Sequence, residues 1–262
     1  ALMEKYFAGE EFTPEEIIEG LKKGVTAGEI CPVFAGVQQT GAAVPLMMDT
    51  LLQILPSAAD AVCRFEDGEE KAFDENGENA LFVFKTIADP FVGKLSYFRV
   101  LSGKIKNDTR LINNRTGAEE RLSKIMWLKG GKQEDAGEII AGDIGSVSKL
   151  GNVLTGDTLS VSGKLAAAAV DFPAPTISVA VYPKAKGDEE KITQAFSRLC
   201  EEDPTIKVYT DNETHEQILS ALGEQHIDVI ISRLKSKFGA EVELKKPKIA
   251  YRETIRRPVK VQ

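Results

Sequence analysis

The sequence contains few cysteine and histidine residues, and this limits the zinc and disulfide chemistry that it can carry. Only three of its 262 residues are cysteine, and only two are histidine. Cys31, Cys63 and Cys200 lie far apart and make no Cys-x-x-Cys pair, a spacing that favours neither a disulfide framework nor a zinc site. Isolated thiols of this kind are typical of a reducing compartment. We therefore expect a cytoplasmic protein without a metal centre.

Long apolar runs are also missing. No uninterrupted apolar segment approaches the roughly 18 residues that mark a membrane-spanning helix, and no basic start with an apolar core marks a secretory signal. We therefore expect no membrane among the partners of this protein. Because the chain begins in mid-pattern at Ala1-Leu2, we expect it to be a fragment of a longer protein.

The third absence is a phosphate-binding loop. The pattern Gly-x-x-x-x-Gly-Lys-Ser/Thr does not occur, so the backbone cradle for phosphates and the lysine that reaches them are both missing. The magnesium-binding elements of a phosphoryl-transfer site cannot be assembled from this chain either, and no nucleophile stands in a pattern with a base. We therefore expect no catalytic residue and no cofactor in this chain on its own.

Among the features that are present, residues 80–163 alternate short β-rich runs with turn residues. Each run is bounded by Gly, Asn or Asp, which is typical of short strands spaced by turns. The expected strands are Leu81–Ile87, Lys94–Val100, Thr109–Asn113, Ala118–Trp127, Ile144–Leu150 and one that ends near Leu159. Closing such a sheet removes the edge strands that invite aggregation. We therefore predict one closed β-barrel.

Residues 176–255 predict a second compact domain, separated from the barrel by a proline-containing linker at residues 164–175. Strands and amphipathic helices follow one another in the order β-α-β-β-α-β, which is typical of the ferredoxin-like fold. The helices are expected at Asp188–Glu202 and Glu224–Phe238. His226 has no second histidine or cysteine near it in the sequence, so we expect a packed or hydrogen-bonded side chain rather than a ligand or a base.

Residues 1–60 are expected to be mostly helical, and residues 61–79 form an acidic, solvated connector. The segment Thr13–Glu16 reads Thr-Pro-Glu-Glu. It is a strong helix start, with a capping threonine, a proline in the first turn and a glutamate three residues after the cap. We expect Gly24 to end this helix and Ile30–Ala35 to form a short buried strand.

The net charge of −7 conceals an uneven distribution. Ser232–Gln262 carries ten Lys and Arg against three Asp and Glu, so the body of the chain is acidic and its end is basic. A basic end is compatible with contact to RNA, whose phosphates Lys and Arg neutralise, although a solvated charged face explains the same pattern. The candidate ribosome and RNA contacts are Lys94 and Arg99 in the barrel and Lys235, Lys237, Arg252, Arg256 and Arg257 near the end.

Several motifs in residues 80–163 occur together and in a fixed order. They are Asp89–Leu95 (Asp-Pro-Phe-Val-Gly-Lys-Leu), Phe98–Gly103 (Phe-Arg-Val-Leu-Ser-Gly), Glu120-Arg121, Ala141–Ile144 (Ala-Gly-Asp-Ile) and Thr155–Leu159 (Thr-Gly-Asp-Thr-Leu). This linked set resembles the second domain of elongation factor G. The resemblance implies that the predicted barrel is a translation-factor β-barrel.

The resemblance extends to both sides of the barrel. Residues 201–204 (Glu-Glu-Asp-Pro) and 251–255 (Tyr-Arg-Glu-Thr-Ile) resemble the third domain of elongation factor G, after which residues 256–262 would begin a fourth domain. Residues 1–60 resemble the tail of the GTP-binding domain, where a Gly-Ser-Ala loop contacts the guanine base. The loop here reads Gly-Val-Gln from Gly36 onwards, so Gly36 alone matches and is the candidate nucleotide contact.

The resemblance implies a multidomain α+β protein made of a GTP-binding-domain tail, a β-barrel and a ferredoxin-like domain. The intact relative would use GTP hydrolysis to drive translocation of transfer RNA and messenger RNA through the ribosome. It would bind GTP and Mg²⁺, its partners would be ribosomal RNA and proteins, and we expect a monomer. Two alternatives stay open: a ribosomal-protection protein that confers tetracycline resistance, and a non-catalytic adaptor that binds RNA or protein through the barrel.

The missing phosphate-binding loop leads to a direct prediction. We expect the purified chain not to hydrolyse GTP, because it has no loop to cradle the phosphates and no lysine positioned to reach them. A phosphate-release assay with GTP checks this, and robust turnover would contradict the interpretation.

Overall fold

The computed structural model describes residues 2–89, 93–185 and 187–254. Packing of the Cα trace divides the chain into two compact units. The first unit comprises Ala1–Cys63 and Glu70–Phe73, and the second comprises Arg64–Glu69 and Asp74–Gln262. The second unit contains both the strand-rich segment and the α/β segment that the sequence predicts.

The first unit is helical, and its helices are α1 (Leu2–Ala8), α2 (Pro14–Thr26), α3 (Val44–Ile54) and a 3₁₀ turn at Ala58–Asp60. Helix α2 begins as the sequence predicts, with a reciprocal capping box. The Glu16 amide donates to Thr13 Oγ1 at 3.3 Å, and the Thr13 amide donates to Glu16 Oε2 at 2.9 Å. Lys5 of α1 donates to the same carboxylate at 2.8 Å, so the capping glutamate also ties α1 to the start of α2.

Two expectations for this unit are wrong. Helix α2 runs through Gly24 to Thr26 instead of ending at the glycine. Gly24 is buried, and a Cβ at this position would lie 2.8 Å from Ile30 Cγ1, so the missing side chain makes room for Ile30. Ile30–Ala35 forms no strand, and most of its side chains are exposed. Pro32 has no N–H group to donate to a ladder, which weakens this segment as a strand.

The first unit buries few of its apolar side chains. Between residues 2 and 60, only Gly24 and Ile54 are buried. Large apolar side chains remain exposed on α1 and α3, namely Met3, Tyr6, Phe7, Leu46 and Leu52. Exposed apolar faces of this kind mark surfaces that contact another folded segment.

The strands begin with a short ladder of β1 (Val62–Arg64) and β2 (Glu70–Ala72), which lies where the chain passes between the two units. The strands of the barrel segment are β3 (Ala80–Asp89), β4 (Gly93–Ser102), β5 (Lys104–Lys106), β6 (Thr109–Asn113), β7 (Glu119–Leu122), β8 (Ile125–Lys129), β9 (Lys132–Asp135), β10 (Glu138–Ile140), β11 (Ile144–Ser148) and β12 (Thr158–Ser160). Eight of them form one antiparallel sheet in the order β7-β6-β12-β3-β4-β11-β8-β9, and β5 pairs with β10. The sheet curls around one apolar core, which confirms the barrel-type fold.

The barrel does not close through a ladder, so the prediction of a fully closed sheet is wrong in this respect. Its edge strands β7 and β9 are not paired with each other in the part of the chain that the structure describes. The predicted strand Ala118–Trp127 is in fact two strands, β7 and β8, separated by Ser123 and Lys124. Because β7 lies at one end of the sheet and β8 near the other, these two residues join the ends covalently. Leu122 and Ile125, on either side of the connection, are both fully buried.

The core of the barrel is a single cluster of buried side chains: Leu81, Val83, Phe98, Val100, Ile105, Leu111, Leu122, Ile125, Ile139, Val147, Leu150, Val153 and Leu159. Phe98 of β4 is fully buried and lies opposite Gly145 of β11 in the ladder. A Cβ at Gly145 would lie 2.8 Å from Phe98 Cζ and would also meet Ile139. The absence of a side chain at Gly145 therefore leaves room for the Phe98 ring in the core.

A buried carboxylate fixes the loop that leads into β12. Asp157 accepts hydrogen bonds from Arg115 Nε at 2.7 Å, from Asn113 Nδ2 at 2.7 Å and from the Leu154 amide at 2.9 Å. Burial raises the pKa of Asp157, but the hydrogen bonds from Arg115, Leu154 and Asn113 outweigh it, so the pKa lies below its ordinary value. The charged form of Asp157 therefore stabilises the fold.

The α/β domain is made of β13 (Ile177–Pro183), α4 (Glu189–Glu202), β14 (Lys207–Thr210), β15 (Gln217–Ala221), α5 (Glu224–Phe238) and β16 (Val242–Lys245). The antiparallel sheet has the order β14-β15-β13-β16, and both helices bury their apolar faces in one cluster. This confirms the ferredoxin-like fold. Helix α5 ends at Gly239, whose φ of 61° is the left-handed conformation that glycine adopts readily. Within the described residues, no helix is both long and apolar enough to cross a bilayer.

Replacing Asp157 by asparagine should destabilise the barrel by about 2–3 kcal/mol at neutral pH, because the amide cannot accept all the bonds that the carboxylate accepts. The folded-state pKa of Asp157 is lowered. Its contribution is therefore fully present above the unfolded value of about 3.9 and is lost as the pH falls through the folded pKa. The stabilities of wild type and Asp157→Asn should therefore converge in acid.

Urea unfolding at a series of pH values checks this prediction. The signal is the fluorescence of the single tryptophan, Trp127, which lies in β8 of the barrel. Asp108→Asn is the matched control, since Asp108 is exposed and its ion pair is with the exposed Arg121. It should change the stability by less than about 1 kcal/mol. A difference between wild type and Asp157→Asn that persists undiminished into acid would contradict the assignment.

Candidate functional site

The barrel and the α/β domain meet at the C-terminal end of α4. Lys94 of β4 places its Nζ atom 3.0 Å from Glu201 Oε2, and the Lys94 side chain is only 17% exposed. The next residue, Glu202, accepts a hydrogen bond from the Ala88 amide of β3 at 2.6 Å. Two neighbouring carboxylates of one helix thus contact both strands of the β3–β4 hairpin. We call this contact the junction.

Glu202 also binds the second helix of the α/β domain. Its Oε1 atom lies 2.8 Å from Lys237 Nζ of α5, and the Glu202 side chain is 6% exposed. One buried carboxylate therefore connects a barrel strand, α4 and α5. Hydrogen bonds to charged groups are stronger than those between neutral groups, and an unpaired charge in this position would be costly.

Asp203 completes the acidic end of α4. Its Oδ2 atom lies 3.1 Å from His226 Nε2. His226 Nδ1 accepts from the Leu222 amide at 3.3 Å, so Nε2 carries the proton and donates to Asp203. Burial raises the pKa of Asp203, but the hydrogen bonds from Thr205 and the contact with His226 outweigh it, and the pKa lies below its ordinary value. The expectation of a hydrogen-bonded His226 is confirmed.

A cavity of about 310 Å³ lies beside the junction, with Thr86, Lys94, Lys149, Leu150, Arg198 and Glu201 among the residues that line it. We call it the junction cavity. Its walls come from the β3–β4 hairpin, from the loop after β11 and from α4. Lys149 has a φ of 66°, which non-glycine residues rarely adopt. Its amide donates to the Lys94 carbonyl at 3.0 Å, which holds the loop against β4.

The structure places the predicted contact residues in different surroundings. Lys94 and Lys237 come together at the acidic end of α4, whereas Lys235 pairs with Glu241 at 2.8 Å. Arg99 donates from Nε to the Gly142 carbonyl at 3.1 Å and is half-buried.

The remaining predicted residues lie towards the two ends of the chain. Arg252 pairs with Glu213. Arg256 and Arg257 lie outside the described residues. Gly36 is exposed, next to the isolated bridge between Val37 and Ala42.

Sequence reasoning missed the junction itself. The sequence predicts a helix that ends at Glu202 but gives no link between Glu202 and Ala88, which lies 114 positions away. One signal was available. Three consecutive acidic residues at a helix C-terminus oppose the helix dipole, so partners from outside the helix are favoured there.

Replacing Glu202 by alanine should loosen the junction, because the Ala88 amide and Lys237 both lose their acceptor. The loss of a buried acceptor of this kind is worth about 1–3 kcal/mol. Hydrogen exchange should show faster exchange at the Ala88 amide, with the barrel core still protected. Glu190→Ala, on the exposed first turn of the same helix, is the control and should leave Ala88 unchanged. Equal exchange at Ala88 in both variants would show that Glu202 does not hold the hairpin.

Comparison with known families gives two adjacent matches. Residues 78–162 match the family described as elongation factor G domain 2, and residues 172–246 match the family described as Elongation Factor G, domain III. Together the two matches cover more than half of the chain and occur in the order of the barrel and the ferredoxin-like domain.

Comparison with solved structures gives a consistent result. A protein of Thermus thermophilus known from a crystal structure is similar to this chain, with a TM-score of 0.74 and 28% sequence identity. The similarity covers 95% of this chain and 36% of the Thermus chain. The chain thus spans little more than a third of the length of that protein.

Proposed function

The chain belongs to the elongation factor G family, and from this premise we propose that it supplies the second and third domains of a translational GTPase that promotes translocation on the ribosome. The single observation that supports this most is the order of the two family matches, residues 78–162 followed by residues 172–246. The similarity over 95% of the chain to one Thermus structure also supports it, since it includes residues outside both matches.

In this proposal, GTP and Mg²⁺ are bound largely by residues outside this chain. The chain has no Gly-rich loop followed by Lys and Ser or Thr, so it lacks the backbone cradle that such a loop provides for the phosphates of GTP. At most Gly36 contributes, as a contact to the guanine base. In this proposal the residues present therefore do not make the GTP site by themselves.

The exposed apolar side chains of the first unit support a further part of the proposal. Tyr6, Phe7 and Leu52 are each more than two-thirds exposed, an arrangement that is unfavourable in water. We infer that the remainder of a GTP-binding domain packs on α1 and α3 in the intact protein. The first unit would then connect the nucleotide site with the barrel.

The barrel and the ferredoxin-like domain would transmit the nucleotide state towards the part of the protein that acts on transfer RNA. Each has its own apolar core, so each can move as a rigid body while the contacts between them change. The junction carboxylates, Glu201 and Glu202, are the contacts that would be kept or exchanged in such a movement.

Contact with the ribosome would involve cations near the end of the chain, because phosphate neutralisation dominates binding to RNA. Lys235 and Arg252 are exposed at their charged ends and each has one carboxylate partner. An RNA phosphate can replace such a partner, since exposed ion pairs contribute less than about 1 kcal/mol.

Co-sedimentation with purified ribosomes over a series of salt concentrations tests this proposal. We expect the chain to pellet with ribosomes at low salt and the affinity to fall steeply as salt rises. Arg252→Glu should weaken the binding and lower the slope of log affinity against log salt by about one or more. Arg110→Glu is the matched control, because Arg110 is also an exposed arginine with one glutamate partner, Glu119. Absence of ribosome binding, or equal slopes in the two variants, would contradict the proposal.

A further inference from the structure

The junction cavity contains more positive than negative charge. Lys94, Lys149 and Arg198 line it together with one carboxylate, Glu201. Lys94 takes that carboxylate as its partner at 3.0 Å. Lys149 and Arg198 form no ion pair with a carboxylate whose side chain the structure describes, so the described lining carries three cations and one carboxylate. Clustered charge of one sign in a concave site attracts a ligand of the opposite sign.

Backbone contacts fix where Lys149 joins the cavity wall. The amide of Lys149 is bonded to the Lys94 carbonyl, so the two lysines start from neighbouring points of the cavity wall. Leu150, the next residue, is 1% exposed and anchors the loop in the barrel core. Arg198 approaches from α4, on the other domain. Cationic residues of both domains therefore line the same cavity.

The cavity lining also contains one buried hydroxyl group and two apolar side chains. Thr86 is buried, and its Oγ1 accepts a hydrogen bond from Thr155 Oγ1 at 3.1 Å, which leaves the Thr86 hydroxyl proton available to another acceptor. Ile87 and Leu150 provide apolar surface beside it. A volume of about 310 Å³ is near the lower limit of ligand pockets, which is roughly 300 Å³. The size admits a small molecule and excludes a folded partner.

We propose that the junction cavity binds a small phosphate-bearing molecule, no larger than a mononucleotide. Lys149 and Arg198 contact the phosphate, and Thr86 donates a hydrogen bond to it. The planar guanidinium of Arg198 suits a phosphate with two oxygens presented side by side, and lysine adds a point charge. A cleft of about 310 Å³ favours a small ligand over a longer stretch of RNA backbone.

The ligand would also strengthen the junction. Arg198 belongs to α4 and Lys149 to the loop after β11, so a phosphate held by both links the two domains next to the Lys94–Glu201 pair. A ligand that binds only the folded arrangement raises its stability in proportion to the logarithm of its concentration. The thermal midpoint of the chain should therefore rise as the ligand concentration increases.

The test uses the whole chain and three probes at constant ionic strength: inorganic phosphate, adenosine monophosphate and adenosine. Calorimetric titration and thermal unfolding give the affinity and the stabilisation. The double variant Lys149→Gln with Arg198→Gln removes two exposed cations that have no ion-pair partner in the described part of the chain, so we expect it to fold normally. Lys132→Gln with Arg233→Gln removes the same charge from exposed positions elsewhere and is the matched control.

We expect saturable binding of phosphate and of adenosine monophosphate to the wild type and to the control variant. The Lys149 and Arg198 double variant should bind each at least about tenfold more weakly, and adenosine should not bind. The proposal is overturned if neither phosphate probe binds saturably, if the two double variants bind alike, or if adenosine binds as well as its phosphate. A single-stranded RNA that binds through the same residues when adenosine monophosphate does not would assign the site to RNA and would also overturn it.

Discussion

A helix carries partial negative charge at its C-terminal end, so consecutive carboxylates there are repelled by the backbone carbonyls as well as by one another. Helix α4 ends with Glu201 and Glu202 and is followed by Asp203, and each of the three has a partner from another element. Glu201 contacts the barrel, and Asp203 contacts His226 of α5. Glu202 contacts both the barrel and α5. The contact between the two domains of the second unit depends on this short acidic segment, and a change there affects three elements at once.

The domains that meet at this segment have separate apolar cores. Charged groups at the junction can exchange partners without exposing either core, whereas a shared apolar core would have to be broken. Interactions between partly exposed charges also weaken as salt rises, and those between buried charges weaken less. The buried Glu202 is therefore the more durable contact, and the more exposed pair of Lys94 and Glu201 is the more adjustable one. This combination suits two bodies that stay in contact while their angle changes.

The sequence predicts those parts of the fold in which the local pattern decides the structure. The capping box at Thr13, the βαββαβ order and the short strands were all readable from spacing and turn residues. The wrong or missing predictions share one cause. In each of them, the structure is decided by a contact with another segment or by the geometry of the whole sheet. Gly24 predicts a helix end, because the sequence does not show that Ile30 packs against the glycine. The break at Ser123 and Lys124 depends on the curl of the whole sheet, and the role of Glu202 depends on an amide 114 positions away.

The two-residue connection between β7 and β8 has a consequence for how the barrel keeps its shape. Two strands that close a barrel by hydrogen bonds can shift their register by two residues and still pair. Two strands joined by a short peptide connection cannot shift in this way. The two-residue connection thus limits the distance between the end of β7 and the start of β8. A protease nick between Ser123 and Lys124 would remove this covalent link and leave hydrogen bonds to hold the two ends together, namely the β5–β10 ladder and the bond from the Ile125 amide to Asn107 Oδ1 at 2.8 Å. Circular permutation at this position should be tolerated far less well than at an ordinary hairpin tip.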